Sequence, residues 1–452
     1  MVDVLASAAP DVFYARQQMA VSLGWHIVIA CFGMVFPALV LFVHLRWLRT
    51  GDPVYEQLTR RWSKVLGVLF AIGAVSGTIL SFEFGILWPE FMGRFGDVFG
   101  IPFALEGFAF FIEAIFLGIY LYGHDRLPGR VHALVLVPVL LGGLTSAFWV
   151  MAANGWMNGP TGFTLDDAGN VVDIDPWAAV FNSYLWHEVT HMVLAAIMVV
   201  GFVTAGVYAL GWLRGARTRY HRVAFAIPFT IAAMTAPLQV VVGDWSARYV
   251  ADHQPVKLAA MEGLGETRTG APFTIGGWYD EGSGEVRGGL QIPRLLSLLA
   301  RHDPDSTIEG LDTVEARDRP PVNVVRISFQ LMVGIGSGLV GLGAWFGIVW
   351  WRRRSLPASR WFWRAAVVAS PAVVVALLAG WIVTEVGRQP WIVYEVMRVE
   401  DAVNDAHGLR YGYFALLVVY AVLTWATLFV LRRIASEPLA APREDTEPLV
   451  RP

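Results

Sequence analysis

The side chains in this sequence that could do chemistry are ionisable and soft-ligand groups set inside apolar runs. Trp381-Ile-Val-Thr-Glu385-Val-Gly387-Arg388-Gln389-Pro390-Trp391 puts a carboxylate near the end of a run, about 367–386, long enough to cross a bilayer, then adds Gly, Arg and a helix-ending Pro. An acidic group in hydrocarbon costs roughly 2.5–3.5 kcal/mol on the insertion scale. Glu385 therefore faces a cavity, an ion path or a cofactor, as ligand or proton carrier, or it snorkels to the interface beside Arg388.

Ala104-Leu-Glu106-Gly-Phe-Ala-Phe-Phe-Ile-Glu113 spaces two carboxylates by nearly two helical turns, so they share a face roughly 10 Å apart. The run closes at His124-Asp125-Arg126, with Asp125 roughly 28 Å along the axis from Glu106 and rotated off that face. Carboxylates spread along one helix suggest a path for protons. The bland reading ties each of them to an Arg or Ser of another run.

Trp186-His187-Glu188-Val189-Thr190-His191 matches H-E-x-x-H, which in zinc metalloproteases sets two His on one helical face with the Glu as general base. No third zinc ligand is placed by such a pattern here. One of the two His could instead ligate a haem, opposite a thioether from another run. Phe329-Gln330-Leu331-Met332-Val333-Gly334-Ile-Gly336-Ser-Gly338 supplies the sulfur, and its glycines let a flat macrocycle approach the backbone. His26, ten residues after Arg16, is a further imidazole in an apolar helix, as a packing residue or a ligand. Cys31 is the single cysteine, so metal chemistry here rests on His, Met and carboxylates.

These residues must be positioned by membrane helices. With 56% hydrophobic and 16% charged residues, the 452-residue chain reads as an all-α polytopic membrane protein, and a net charge of −3 says nothing about partners. Runs long enough to span lie at about 18–45, 63–84, 101–122, 132–152, 187–213, 222–243, 323–351, 364–387 and 410–431, nine in all. The first is too long for the apolar core of a cleavable signal, and Asp3 and Asp11 precede it, so it serves as the first anchor.

Positive residues concentrate in alternate connectors: Arg46, Arg49, Arg60, Arg61 and Lys64; Arg126 and Arg130; Arg214, Arg217, Arg219 and Arg222; Arg352, Arg353, Arg354, Arg360 and Arg364; then Arg432 and Arg433. The positive-inside rule puts the N-terminus outside and the C-terminus in the cytoplasm. His187, His191, Met332, Glu106 and Glu385 then all fall in the outer half, an alignment not expected of independent packing residues. The expected parts are helices 1–6 over 1–243, a long outer connector over 244–321, helices 7–9 over 322–433 and a disordered cytoplasmic tail over 434–452.

Taken together, these motifs resemble subunit I of the cytochrome bd quinol oxidases over essentially the whole chain. The likeness is carried by the Glu106–Glu113 stretch, Ala153-Asn154-Gly155-Trp156-Met157 after span 4, Gln254-Pro255-Val256-Lys257-Leu258-Ala259-Ala260-Met261-Glu262 in the connector, and Gly387-Arg388-Gln389-Pro390-Trp391. The resemblance implies that His191, rather than His187, and Met332 hold a low-spin haem b. It implies that His26 and Glu385 each hold one of two high-spin haems, a haem b and a haem d or a further haem b. Glu106 would lie near the His26 haem, Trp381, Arg388 and Trp391 beside the Glu385 haem, and Arg16 would pair with propionates.

In the same likeness Lys257 and Glu262 form a quinol-binding pair that accepts protons. Glu113 and Asp125 bring protons from the cytoplasm to the oxygen-reducing haem. Quinol oxidation outside and proton uptake inside would generate proton motive force without a pump. The implied partners are a membrane subunit II, a small single-span subunit, ubiquinol or menaquinol, O2 and the lipid of a bacterial cytoplasmic (inner) membrane, with no nucleic acid. Two departures stand out: Gln330 occupies the position of an expected Arg, for which Arg326 could substitute, and the short connector marks a short-loop form, as in cyanide-insensitive relatives. An intramembrane zinc protease at His187, Glu188 and His191, or an ion-coupled transporter using the span 3 carboxylates, are the rival readings.

Overall fold

The computed structural model describes residues 10–124, 126–404 and 408–438. Among them, nine helices are long and apolar enough to cross a membrane. They are α1 (Pro10–Thr50), α2 (Pro53–Leu87), α3 (Pro89–Tyr122), α4 (Leu136–Asn158), α5 (Leu185–Leu213), α6 (Arg219–His253), α7 (Val322–Arg353), α8 (Arg360–Val386) and α9 (Leu409–Ser436). Each is longer than its apolar run, because hydropathy marks only the hydrocarbon portion while the backbone stays helical until a residue opposes it. Thus α6 continues past the expected limit at 243 to His253, where Gln254-Pro255 disfavours a further turn. The motif expected after span 4 belongs instead to the last turns of α4, which runs to Asn158. Of the expected tail, 434–436 finish α9, and residues from 439 onward lie outside the described residues.

Two four-helix groups make up the body. In the first, α1 packs on α2 and α4, and α3 on α4 and α2; in the second, α5 packs on α6 and α8, and α7 on α8 and α6. Helices α1 and α4 both touch α5 and join the groups, while α9 lies against α1 and α2. On the arginine-rich side Asp52 caps α2 through Val54 N and pairs with Arg219 at the start of α6 at 2.5 Å. A buried aromatic cluster including Phe225, Phe229, Phe362 and Trp363 fills the second group near that side. On the opposite side Phe91, Phe95, Phe99 and Trp156 pack with Ile392 and Val393.

The long connector is ordered. A short loop helix, Pro255–Glu262, is followed by hairpins that pair Phe273–Ile275 with Leu290–Ile292 and Trp278–Asp280 with Glu285–Arg287. The first turns of α7 clamp it. Arg326 donates to the carbonyls of Glu262 (2.6 Å), Thr274 (3.0 Å) and Gly276 (2.5 Å), and Asn323 exchanges two bonds with the backbone of Tyr279. The loop helix ends in left-handed backbone at Gly263 (φ 66), where a Cβ would also press on Arg326.

Candidate functional site

Helix α5 sets His187 and His191 one turn apart on a face that meets α6. His187 Nδ1 lies 3.2 Å from Ser246 Oγ, and His191 Nε2 lies 3.1 Å from the side-chain amide of Gln239. Both imidazoles line one cavity together with Met332 of α7, Trp381 of α8 and Lys257 of the loop helix. Small residues make this possible: a Cβ at Gly243 would reach within 3.5 Å of the His191 ring, and one at Gly380 would stand 2.8 Å from Met332 Sδ, closer than real Cβ atoms approach. Gly336 faces open space where a side chain would intrude.

The cavity wall concentrates buried polar atoms that no protein group satisfies: His187 Nε2, His191 Nδ1, Gln239 Oε1, Glu188 Oε2 and Trp381 Nε1. Each orphan costs on the order of 1–3 kcal/mol, so a cluster of them marks a ligand position rather than packing. An imidazole from α5 and a thioether from α7 on one cavity are a donor set that suits a haem iron. Among the described residues no group of three or more His, Cys, Asp or Glu gathers to bind a bare metal ion, so the H-E-x-x-H stretch lacks the third ligand of a zinc protease.

Glu385, in the last turn of α8, accepts from Arg388 Nη2 at 2.6 Å through one oxygen and from Asn154 Nδ2 through the other. The ion pair that snorkelling implies is present, and its cation is buried: Arg388 is 2% exposed, and its Nε and Nη1 have no partner. Those two donors fit an anionic group such as a propionate. Trp391 lies on a short strand after the helix, with Arg398 over its ring at 4.9 Å. In the first group, His26 Nδ1 bonds Ser76 Oγ at 2.8 Å and its ring lies over Gly77. Ser146 faces Glu106, in line with the bland reading of the span 3 carboxylates, whereas Glu113 packs against Gly33 and Gly142. Arg16 is half-buried in α1, and Asp125 lies outside the described residues.

Lys257 and Glu262 stand on different faces of the loop helix. Five residues of helix rotate their side chains about 140° apart, onto different faces. Lys257 turns inward, where Nζ donates to Asn158 Oδ1 at 2.7 Å and faces Glu188, Glu385 and Arg388. Burial pulls its ammonium well below the ordinary lysine range and the Arg388 charge adds to this, against the two carboxylates. Glu262 turns toward α7, where burial pushes its carboxyl up to about 8 despite the Arg326 charge. Arg326, the residue that could stand in for the arginine missing at Gln330, gives Nη1 and Nη2 to the loop carbonyls while its Nε has no partner, and Gln330 joins it on Thr274 O at 3.1 Å.

Sequence reasoning missed Asn158, Gln239 and Ser76, all now bonded to named site residues. The spacing of Asn154 and Asn158, one turn apart in an apolar helix, was an available signal. It also missed a polar cluster at the arginine-rich ends of α1–α3: Tyr120 OH lies 3.2 Å from His44 Nδ1 and 3.1 Å from Ser63 Oγ, and His132 Nε2 lies 2.7 Å from Tyr120 O.

Comparison with known proteins agrees with this arrangement. Residues 14–438 match the family model described as cytochrome bd terminal oxidase subunit I. A putative cytochrome bd menaquinol oxidase subunit I of Bacillus subtilis (strain 168) is 34% identical over 428 residues, 93% of this chain and 96% of that protein. A cytochrome bd ubiquinol oxidase subunit 1 of the same organism is 32% identical, covering 94% and 93%. The solved bd oxidase of Geobacillus thermodenitrificans superposes with a TM-score of 0.87 at 35% identity, covering 94% of this chain and 98% of that one. Matched over residues 14–438 by the family model and nearly from end to end by its relatives, the chain belongs to the cytochrome bd terminal oxidase subunit I family.

Proposed function

We propose that this quinol oxidase subunit oxidises its quinol at the loop helix on the outer side and delivers the electrons to a low-spin haem b held by His191 and Met332. The observation that carries this reading is the single cavity lined at once by His191, Met332 and Lys257. His26 and Glu385 hold the two high-spin haems, one a haem b and the other a haem d or a further haem b. When bound, the haems supply one-electron transfer and the reduction of O2 to water.

The protein's own part is orientation and proton handling. Gln239 and Ser246 fix the α5 imidazoles, and Gly380 lets α8 close over Met332. Arg388 and Asn154 hold the carboxylate of Glu385, while Arg388 keeps two donors for a propionate. Lys257, whose ammonium is destabilised by burial, and Glu262 accept the quinol protons and pass them outward. Glu113, with Asp125 and the Tyr120 cluster, carries protons inward from the cytoplasm to Glu106. Release on one side and uptake on the other separates charge without a pump. Both a menaquinol and a ubiquinol oxidase stand among the relatives, and the loop's polar groups suit the hydroxyls common to both head groups. The working assembly pairs the chain with a membrane subunit II, and a small single-span subunit, in a bacterial cytoplasmic membrane with the arginine-rich side inward.

Proton acceptance by Glu262 requires its ionised form. Because its carboxyl is raised to about 8, kcat/KM for quinol should rise with pH through about 8 and level off above it, and Glu262→Gln should remove that limb. A profile unchanged by the substitution would assign the proton elsewhere.

The reading as a whole is tested by a reduced-minus-oxidised spectrum of the purified two-subunit complex, with and without carbon monoxide. Low-spin haem b bands beside a red chlorin band that shifts with carbon monoxide are expected for haem d at the oxygen site. Haem b bands alone would place a further haem b there, and a colourless complex would refute the reading.

A further inference from the structure

Between the loop lysine and the α8 carboxylate the side chains form one continuous line of hydrogen bonds, with every donor pointing the same way. Lys257 Nζ donates to Asn158 Oδ1 at 2.7 Å, Asn158 Nδ2 to Asn154 Oδ1 at 3.2 Å, and Asn154 Nδ2 to Glu385 Oε1. Asn158 Nδ2 also reaches Asn154 O at 3.0 Å, and Gln254 Nε2 pins the start of the line by donating to Asn158 O at 2.7 Å. Asn158 is 1% exposed and Asn154 6%, so water does not compete for these bonds. The two asparagines stand one turn apart at the end of α4, which brings their side chains onto one face between the loop helix and α8.

Carboxamides exchange protons too slowly to relay them during turnover, so this line transmits position and polarisation. In a buried chain each bond strengthens the next, and it runs here from the Lys257 amine nitrogen to a carboxylate paired with Arg388. A donor on a ligating carboxylate draws electron density away from the metal it would bind.

Resting on the function proposed above, we propose that Asn158 is a positioning residue that couples the quinol site to the haem held by Glu385. A head group that engages Lys257 competes with Asn158 for its ammonium or amine protons. The loss of that bond relaxes the Asn154 donor on Glu385, and the carboxylate becomes a stronger electron donor. Occupancy of the quinol site then lowers the midpoint potential of the Glu385 haem although no quinol touches it. A merely structural Asn158 would hold the loop helix against α4 without this effect.

The test is a redox titration of the purified two-subunit complex with and without a redox-inert hydroxyquinoline N-oxide as quinol mimic. The relevant haem is identified by its loss in Glu385→Ala. In the unmodified complex the mimic should move that haem's midpoint downward and perturb the low-spin bands. In Asn158→Leu the downward shift should vanish while the low-spin response remains, and KM for quinol should rise because Lys257 loses its anchor. Asn158→Asp keeps an oxygen for Lys257 but offers Asn154 no N–H, so it should lose the shift as well even if the leucine variant fails to assemble. A wild-type shift retained in either variant overturns the coupling. So does an unmodified complex in which only the low-spin bands respond. If the low-spin bands do not respond either, it is the quinol site itself that has been misplaced.

Discussion

In a Met332→Leu variant the low-spin haem b bands are expected to disappear while the high-spin signals persist, and quinol-driven oxygen consumption should fall by more than ~100-fold. Leucine has nearly the volume of methionine, so α7 and α8 keep their packing and the change removes little besides the sulfur. The sulfur is where the geometry concentrates: Gly380 presents bare backbone to Met332 Sδ, and His191 lies across the same cavity. Difference spectra of the purified complex measure the effect directly. Loss of all three haems would mean that Met332 holds the fold together, and retention of all three would remove it from the ligand set. His187→Ala is the control that separates the two imidazoles. His187 is packed against Tyr249 with ring centroids 4.6 Å apart, and its loss should leave the low-spin bands in place.

What could be read from the sequence follows from how membranes constrain a chain. Lipid cannot satisfy a backbone polar group, so long apolar runs must be helices, and this fixed α1–α9 in number and order. It also made the carboxylates Glu385 and Glu113 conspicuous in apolar runs, while Met332 was picked out by the glycines around it. What hydropathy could not supply was rotation. The family likeness names Lys257 and Glu262 together, and only the helical turn between them sends one toward Asn158 and the other toward α7. For Arg326, likewise, sequence spacing gave no sign that three loop carbonyls would take two of its guanidinium nitrogens. Asn158 and Gln239 carry no motif of their own. Their roles come from partners 99 and 48 residues away, contacts that a single sequence does not show.

Glu113→Gln should lower steady-state oxygen consumption by ~10²- to 10⁴-fold, the usual worth of a positioned proton-transfer group, with all haem spectra retained. Glutamine keeps the shape that fits against Gly33 and Gly142, where a Cβ would come within 3.3 and 3.2 Å of the Glu113 side chain, so packing is preserved. It removes only the ability to take up and release a proton. Among the described residues no ion pair engages Glu113, although it is 6% exposed, which is unusual for a carboxylate kept for structure alone. Two turns toward the arginine-rich end, the Tyr120 hydroxyl shares bonds with His44 and Ser63, groups that can both donate and accept. On the other side Glu106 continues the same helical face. An oxygen electrode reads turnover, and a potential-sensitive dye in proteoliposomes reads charge separation. If protons for oxygen reduction came instead from the quinol side, the substitution would leave turnover intact, and even the unmodified enzyme would build no potential from proton uptake. Loss of both together therefore places Glu113 on the inward route, and full turnover in the variant would remove it.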